Sequence, residues 1–307
     1  MKKPVLLRWI VCALLLCALA FTVSSPALAD VYPLPLDQKV GGNEPQADGW
    51  YGEGTKKSAY ENYSDPSIQV TTEHLKANGV SCCIVRVLIA DPTQLRTAMS
   101  YDSYDKDSSV VAKKMAAAKN AICAVNGDFF KYHYKVGYVV RQGQFYRDAL
   151  NGKRDLLLID DRGDFWGIRL ATSEMVQTFL ADELPEGRQI VNTFTLGPIL
   201  VKDGEVLEVD TDEFQAHQRM QRVCIVQVSE REYAIVECDG RADGSSGMAL
   251  STFASFVQEQ FPTCRMAYNL DGGGSTNVIV HDMRIHKNND ARAISDIIYF
   301  ASAYTAD

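Results

Sequence analysis

Three stretches of this 307-residue chain place acids and amides beside glycine at the end of an apolar run. They are Ala124-Val125-Asn126-Gly127-Asp128-Phe129-Phe130, Glu237-Cys238-Asp239-Gly240-Arg241 and Asn269-Leu270-Asp271-Gly272-Gly273-Gly274-Ser275. A carboxylate at a strand end can attack as a nucleophile, activate water or steady a developing positive charge. A nearby Arg can grip an anion through parallel N–H donors. Asx-Gly is also an ordinary turn signal. A turn needs one glycine, however, and each further one costs roughly 0.5–1 kcal/mol against Ala. The triple glycine therefore points to a ligand meeting the main chain, with successive bare amides forming a nest for an anion. No Lys follows the glycines, so this is not a P-loop. Several Asp residues on one rim also offer oxygen ligands to Ca2+ or Mg2+, with Asp128 and Asp239 the candidates.

For these ends to converge, the apolar runs before them must lie side by side as strands of one sheet, with the chemistry on its rim. The pattern predicts strands at 81–90, 121–125, 137–141, 154–159, 164–170, 190–194, 198–201, 222–228, 233–238, 265–270, 277–280 and 295–303. Helices are expected at 108–119, capped by Ser108 or Ser109, at 173–180 and at 249–261. In the last, Leu250, Phe253, Ala254, Val257 and Phe261 share one face. Residues 30–66 are rich in Gly, Pro, Asn and Asp without a sustained period, and read as a flexible N-terminal arm. Residues 67–307 read as one domain. Its fold class is α+β (mixed α/β), with a largely antiparallel sheet and interspersed helices.

A hydrophobic content of 46% suffices for a full core, and a net charge of −8 leaves no basic footprint for nucleic acid. At the N-terminus, Lys2, Lys3 and Arg8 precede an apolar run from Trp9 to Val23 and the small-residue site Ala27-Leu28-Ala29. This is the pattern of a secretory signal peptide over 1–29, and it predicts an extracytoplasmic protein. Left uncleaved, the segment would anchor the chain, though the run is short of the roughly 20 residues a span needs.

Cys82, Cys83, Cys123, Cys224, Cys238 and Cys264 follow it. An exported chain can pair them, but Cys123, Cys224 and Cys238 sit in strand-like runs as small buried hydrophobes. One bridge at most is expected. His281 and His286 share no helix face and lack H-E-x-x-H, and read as surface residues; His133 reads as an exposed hairpin tip. Ser275 and Ser246 lack the glycines of a nucleophile elbow.

Taken together, Asn126-Gly127-Asp128-Phe129-Phe130 and Asn269-Leu270-Asp271-Gly272-Gly273-Gly274-Ser275 resemble the motifs of the phosphodiester glycosidase domain. That domain occurs in the lysosomal enzyme that removes N-acetylglucosamine from a sugar phosphodiester, and in many exported bacterial proteins. The order of other segments is similar: the Gly197-Pro198 strand and its Lys202-Asp203-Gly204 turn, Arg222 before a strand, Asp239-Gly240-Arg241, Ser245-Ser246-Gly247 before a helix, and the late Arg292. The chain departs from the family's usual Asn-Gly-Gly-Phe-Phe at Asp128, and has Phe253 where a Glu is common.

The resemblance implies a hydrolase that cuts a sugar-1-phosphodiester at the anomeric carbon, acting on an envelope or extracellular glycan. Asp271 and Asp239 are then the candidate carboxylates, with Asp128 a third acid or a cation ligand. Arg222, Arg241, Arg292 and the backbone of Gly272, Gly273, Gly274 and Ser275 would hold the phosphate. Asn126 and Gly127 would meet the sugar. Two alternatives share these features: a non-catalytic carbohydrate- or envelope-binding protein, and a transglycosylase of exopolysaccharide maturation.

Overall fold

The computed structural model describes residues 28–29, 31–53, 59–104, 109–130, 136–209, 215–240, 245–286 and 292–306. The expected signal peptide, apart from Leu28 and Ala29, lies outside the described residues, as do Ser108, His133 and Arg241.

In chain order the strands and helices are β1 (Trp50–Tyr51), β2 (Asn62–Asp65), β3 (Ile68–Ala77), β4 (Val80–Ile89), β5 (Leu95–Met99), α1 (Ala112–Ala118) and β6 (Ala121–Asn126). There follow β7 (Gly137–Arg141), β8 (Gln144–Ala149), β9 (Leu156–Asp160), β10 (Phe165–Ile168), α2 (Ser173–Thr178), β11 (Ile190–Phe194), β12 (Ile199–Lys202) and β13 (Glu205–Val206). The last third holds β14 (Arg222–Ser229), β15 (Glu232–Cys238), α3 (Leu250–Gln260), β16 (Met266–Asn269), β17 (Val278–Val280), β18 (Met283–Arg284) and β19 (Asp296–Ala301).

Among the described residues every strand pairing is antiparallel. A nine-stranded sheet runs β1-β2-β3-β4-β15-β14-β16-β12-β13, and a five-stranded sheet runs β18-β17-β6-β19-β5. Their inner faces pack together through Val85, Ile225, Ile235 and Tyr268 from the first and Val125, Val278, Ile298 and Phe300 from the second. Helix α3 covers the outer face of the large sheet with Leu250, Phe253 and Val257. Helix α1 covers the outer face of the other with Ala112, Met115 and Ala116. The central strands are therefore buried on both faces. This is why β14 reads Val-Cys-Ile-Val rather than alternating polar and apolar.

Two local expectations change. Helix α1 starts at Ala112, after Val111, with no side-chain cap, because Val110 is held as a bridge to Ile294. The segment expected to be a flexible arm is instead docked wherever it is described. Strands β1 and β2 extend the large sheet, and Leu34 is buried with the α1 cluster. The buried Arg96 donates from Nη2 to the carbonyls of Pro35 (2.8 Å), Asp37 (3.2 Å) and Val40 (3.1 Å). Lys119 donates to Gln38 O at 2.6 Å. Backbone carbonyls captured by buried cations leave no periodicity in the sequence.

Candidate active site

The acid-bearing strand ends do meet, but two sheets rather than one contribute them. In the nine-stranded sheet β14 lies between β15 and β16, so Asp239 and Asp271 flank the residues that open β14. The end of β6 reaches the same rim from the other sheet. Asn126 makes this junction. Its Nδ2 donates to Asp271 O at 2.7 Å, and its Oδ1 accepts the N–H of Asn277 at 2.9 Å. Both ends of the amide are thus tied to the glycine loop, and Asn126 acts as a brace rather than a free sugar ligand.

A cavity of about 460 Å³ opens here, lined by Asn126, Gly127, Asp128, Phe129, Asp271, Ser275 and Arg292. That is within the usual size for a small-ligand site. Arg292 is exposed and reaches Ser275 Oγ from Nη1 at 3.4 Å. Cavities of about 820 and 730 Å³, around Trp166 and around Arg188, include none of the acids singled out from the sequence.

The glycines let the loop close tightly on its neighbours. The N–H groups of Gly273, Ser275 and Thr276 are donated to the carbonyls of Gln221, Gly272 and Gly273 at 3.0, 3.2 and 3.2 Å. These three amides are held within the loop and against Gln221. What the loop needs is close approach: a Cβ on Gly272 would sit 2.7 Å from Gln221 O, and one on Gly240 2.0 Å from Gln221 N. Gly273 has φ +59. Gly127 likewise abuts the Asp296 carboxylate, which a Cβ would meet at 2.6 Å. Gln221, which the sequence does not single out, is the post against which both acid-bearing loops close. Replacing Gly272 by Ala puts a methyl against fixed backbone and should cost about 1–3 kcal/mol. A thermal melt of the variant, beside wild type, checks this.

Asp128 is also occupied. Its Oδ1 accepts from Phe130 N (3.2 Å) and from Arg141 Nη2 (3.1 Å), and its Oδ2 accepts from Thr195 N (2.8 Å). Donors on both oxygens tie this carboxylate to the fold at the cavity wall. Arg141 is fully buried and also binds Asp296 Oδ2 from Nε (3.1 Å) and Nη2 (2.6 Å). Arg222, expected to hold phosphate, turns away from this cavity. It donates to the carbonyls of Met248 (3.3 Å), Gln215 (2.9 Å) and Gln218 (3.0 Å), and burial lowers its pKa. Among the described residues, the arginine that lines the cavity is Arg292.

Asp239 lies in a second cavity, also about 460 Å³, with Glu237, His286, Cys82 and Cys83. His286 is not a surface residue: its side chain is 1% exposed. His281 is buried too, stacked on Trp50 at 3.9 Å between ring centroids. Ligand atoms of Glu237, Asp239 and His286 lie within 4.8 Å of one another. The imidazole Nε2 accepts the N–H of Val278 at 3.0 Å, and its Nδ1 lies 3.0 Å from Gln221 Nε2 and 3.5 Å from Glu237 Oε1.

Burial pushes the Glu237 carboxyl well above the usual carboxylate range; the Gln221 amide opposes this and the charge of Asp239 adds to it. The unfolded chain releases this proton near pH 4.3, whereas the folded chain retains it. The contribution of Glu237 to stability should therefore fall as pH rises above about 4.3, by at most about 1.4 kcal/mol per pH unit. Glu237→Gln removes that loss. Urea midpoints at pH 4 and pH 7 should show the variant gaining on wild type at the higher pH.

Residues 119–301 match the phosphodiester glycosidase family. Among solved structures, the catalytic domain of zebrafish N-acetylglucosamine-1-phosphodiester alpha-N-acetylglucosaminidase, auto-inhibited by its pro-peptide, is similar with a TM-score of 0.60 at 18% identity, over 79% of this chain and 86% of that one. A hypothetical protein from Synechocystis is similar with a TM-score of 0.53 at 14% identity, over 76% of this chain and 62% of the other. At these identities the likeness is one of fold. None of the curated proteins matches the chain.

Proposed function

Because this chain belongs to the phosphodiester glycosidase family, we propose that it hydrolyses the glycosidic bond of a sugar-1-phosphodiester. The observation that carries this reading is the shared cavity of Asp271 and Arg292. Cleavage at the anomeric carbon builds oxocarbenium character, which a carboxylate stabilises, intercepts as a nucleophile or relieves by activating water. Asp271 is placed for one of these roles. The departing phosphate monoester is already acidic, so it needs a cationic grip more than a proton. Arg292 supplies that grip, with the Ser275 hydroxyl beside it. Asn126 keeps Asp271 in register, and Phe129 walls the cavity for the sugar. Asp239, in the neighbouring cavity, is the second carboxylate of the proposal.

The N-terminal pattern of Lys2, Lys3, Arg8 and the apolar run supports an activity outside the cytoplasm, and an envelope or extracellular glycan is the proposed substrate. The zebrafish enzyme named above makes an N-acetylglucosamine-1-phosphodiester the first substrate to try. Incubating the chain from Asp30 onward with UDP-N-acetylglucosamine should release free sugar. An EDTA-treated sample run beside it tests the Ca2+ or Mg2+ expectation. Binding without release, across a panel of glycosyl phosphodiesters, would replace hydrolysis with a carbohydrate-binding role. Release only in the presence of an acceptor sugar would replace it with transfer.

A further inference from the structure

We propose that Cys82 and Cys238 are the two halves of a cross-strand disulfide that locks β4 to β15 beside Asp239. The two residues are directly opposite each other in the antiparallel register of these strands. Asp239 N donates to Ser81 O at 2.8 Å, and Ile89 N to Arg231 O at 3.1 Å. Those are hydrogen-bonded pairs, and the register between them is unbroken. Pairs alternate along an antiparallel ladder, so Cys82 and Cys238 occupy a non-hydrogen-bonded position. There the Cα atoms approach to about 4.5 Å and the side chains are closest. A disulfide accepts Cα separations of about 4.4–6.8 Å, so the pair falls at the short end of that range.

Face and neighbours argue against Cys83, Cys123 and Cys224 as partners. Both side chains belong to the apolar layer under α3. Cys83 points to the opposite face, where its Sγ meets Glu237 Oε2 at 3.6 Å. Cys123 belongs to the other sheet. Cys224 is opposite Val236, which makes it only a diagonal neighbour of Cys238, about 7–8 Å away.

All six described cysteines are reduced in this structure. Oxidation needs a partner disulfide, such as an oxidised low-molecular-weight thiol or a thiol–disulfide oxidoreductase. One cysteine thiolate attacks a sulfur of that disulfide and expels a thiolate, leaving a mixed disulfide. The second cysteine thiolate then displaces the remaining half. The protein loses two protons and two electrons, and the oxidant leaves as two thiols. In the folded chain both thiols resist this. Burial, and the charge of Glu237 at pH values where that carboxyl is ionised, push Cys82 up to about 12, and the same two causes raise Cys238. The bond should therefore form while the strands are pairing, before the layer under α3 closes.

The test refolds the denatured, reduced full chain in a mixture of glutathione and glutathione disulfide. Remaining thiols are alkylated in denaturant, and tryptic peptides are weighed. Cleavage after Lys76, Arg86, Arg231 and Arg241 isolates residues 77–86 and 232–241. In wild type these should appear as one linked species, two hydrogens lighter than their sum, in most molecules. Cys83→Ser should keep the link and Cys82→Ser should lose it. Full alkylation of Cys82 and Cys238 in wild type would overturn the proposal. So would a link that survives Cys82→Ser and vanishes in Cys83→Ser, or one that joins Cys238 to any other cysteine. The wild-type measurement decides whether the bond exists even where a variant folds poorly.

Discussion

An Asp271→Asn variant should release sugar from an N-acetylglucosamine-1-phosphodiester about 10²–10⁴-fold more slowly than wild type, the range lost when a positioned acid or base is removed. The substitution is nearly isosteric. It leaves the Asp271 carbonyl to accept from Asn126 Nδ2 as before, and the close packing of the loop against Gln221 runs through Gly272 and Gly273. The thermal midpoint should therefore stay near the wild-type value while kcat falls. KM should change little, because Arg292 and Ser275, to which the proposal assigns the phosphate, are untouched. A variant with wild-type kcat would remove Asp271 from the chemistry. Asp239 would then be the remaining carboxylate of the proposal.

The second large effect is on stability. Arg141→Met should cost about 3–5 kcal/mol, the price of leaving buried charge without its partner. The guanidinium is fully buried between Asp296, itself fully buried, and Asp128. It also packs over the rings of Phe130 and Phe194, at 5.1 and 4.3 Å to the centroids. Methionine fills much of the volume but strands both carboxylates. Lysine restores a charge without the planar fork that serves Asp296 through Nε and Nη2 together, so Arg141→Lys should recover only part of the loss. Urea unfolding of the three proteins measures this. Equal midpoints for wild type and Arg141→Met would mean that the triad contributes nothing net.

The fold class was legible because burial leaves marks that periodicity can read. Strands β14, β15 and β16 are apolar on both faces, and α3 shows its stripe of Leu250, Phe253, Ala254 and Val257. Strand β8 was missed, since Gln144-Phe145-Tyr146-Arg147-Asp148-Ala149 is largely exposed and carries no buried face. The docked N-terminal segment was missed because it is held by its own main-chain carbonyls, which Arg96 and Lys119 capture.

The site divides along the same line. The strand ends themselves point to Asn126, Asp128 and Asp271, and these do share a cavity with Arg292. Their roles follow from partners far away in sequence. Nothing near Arg141 announces that it binds Asp296, 155 residues on. Gln221 has no motif, and its importance lies in what its backbone excludes from Gly240 and Gly272. Arg222 sits where the family resemblance puts an anion-binding residue, yet its guanidinium holds carbonyls of the preceding loop and of Met248.

The order of synthesis has a consequence for one of these strands. Strand β6 carries Asn126 and lies between β17 and β19, both of which come from the end of the chain. While the polypeptide is still emerging from the ribosome, β6 has neither neighbour, and Ala121-Ile122-Cys123-Ala124-Val125 keeps both edges open. Such a stretch is a template for pairing with other chains, and non-local pairings of this kind form slowly. A product truncated before β17 would carry that bare strand permanently. Losing the C-terminal end would thus make the chain prone to aggregate, in addition to deleting Arg292 from the cavity.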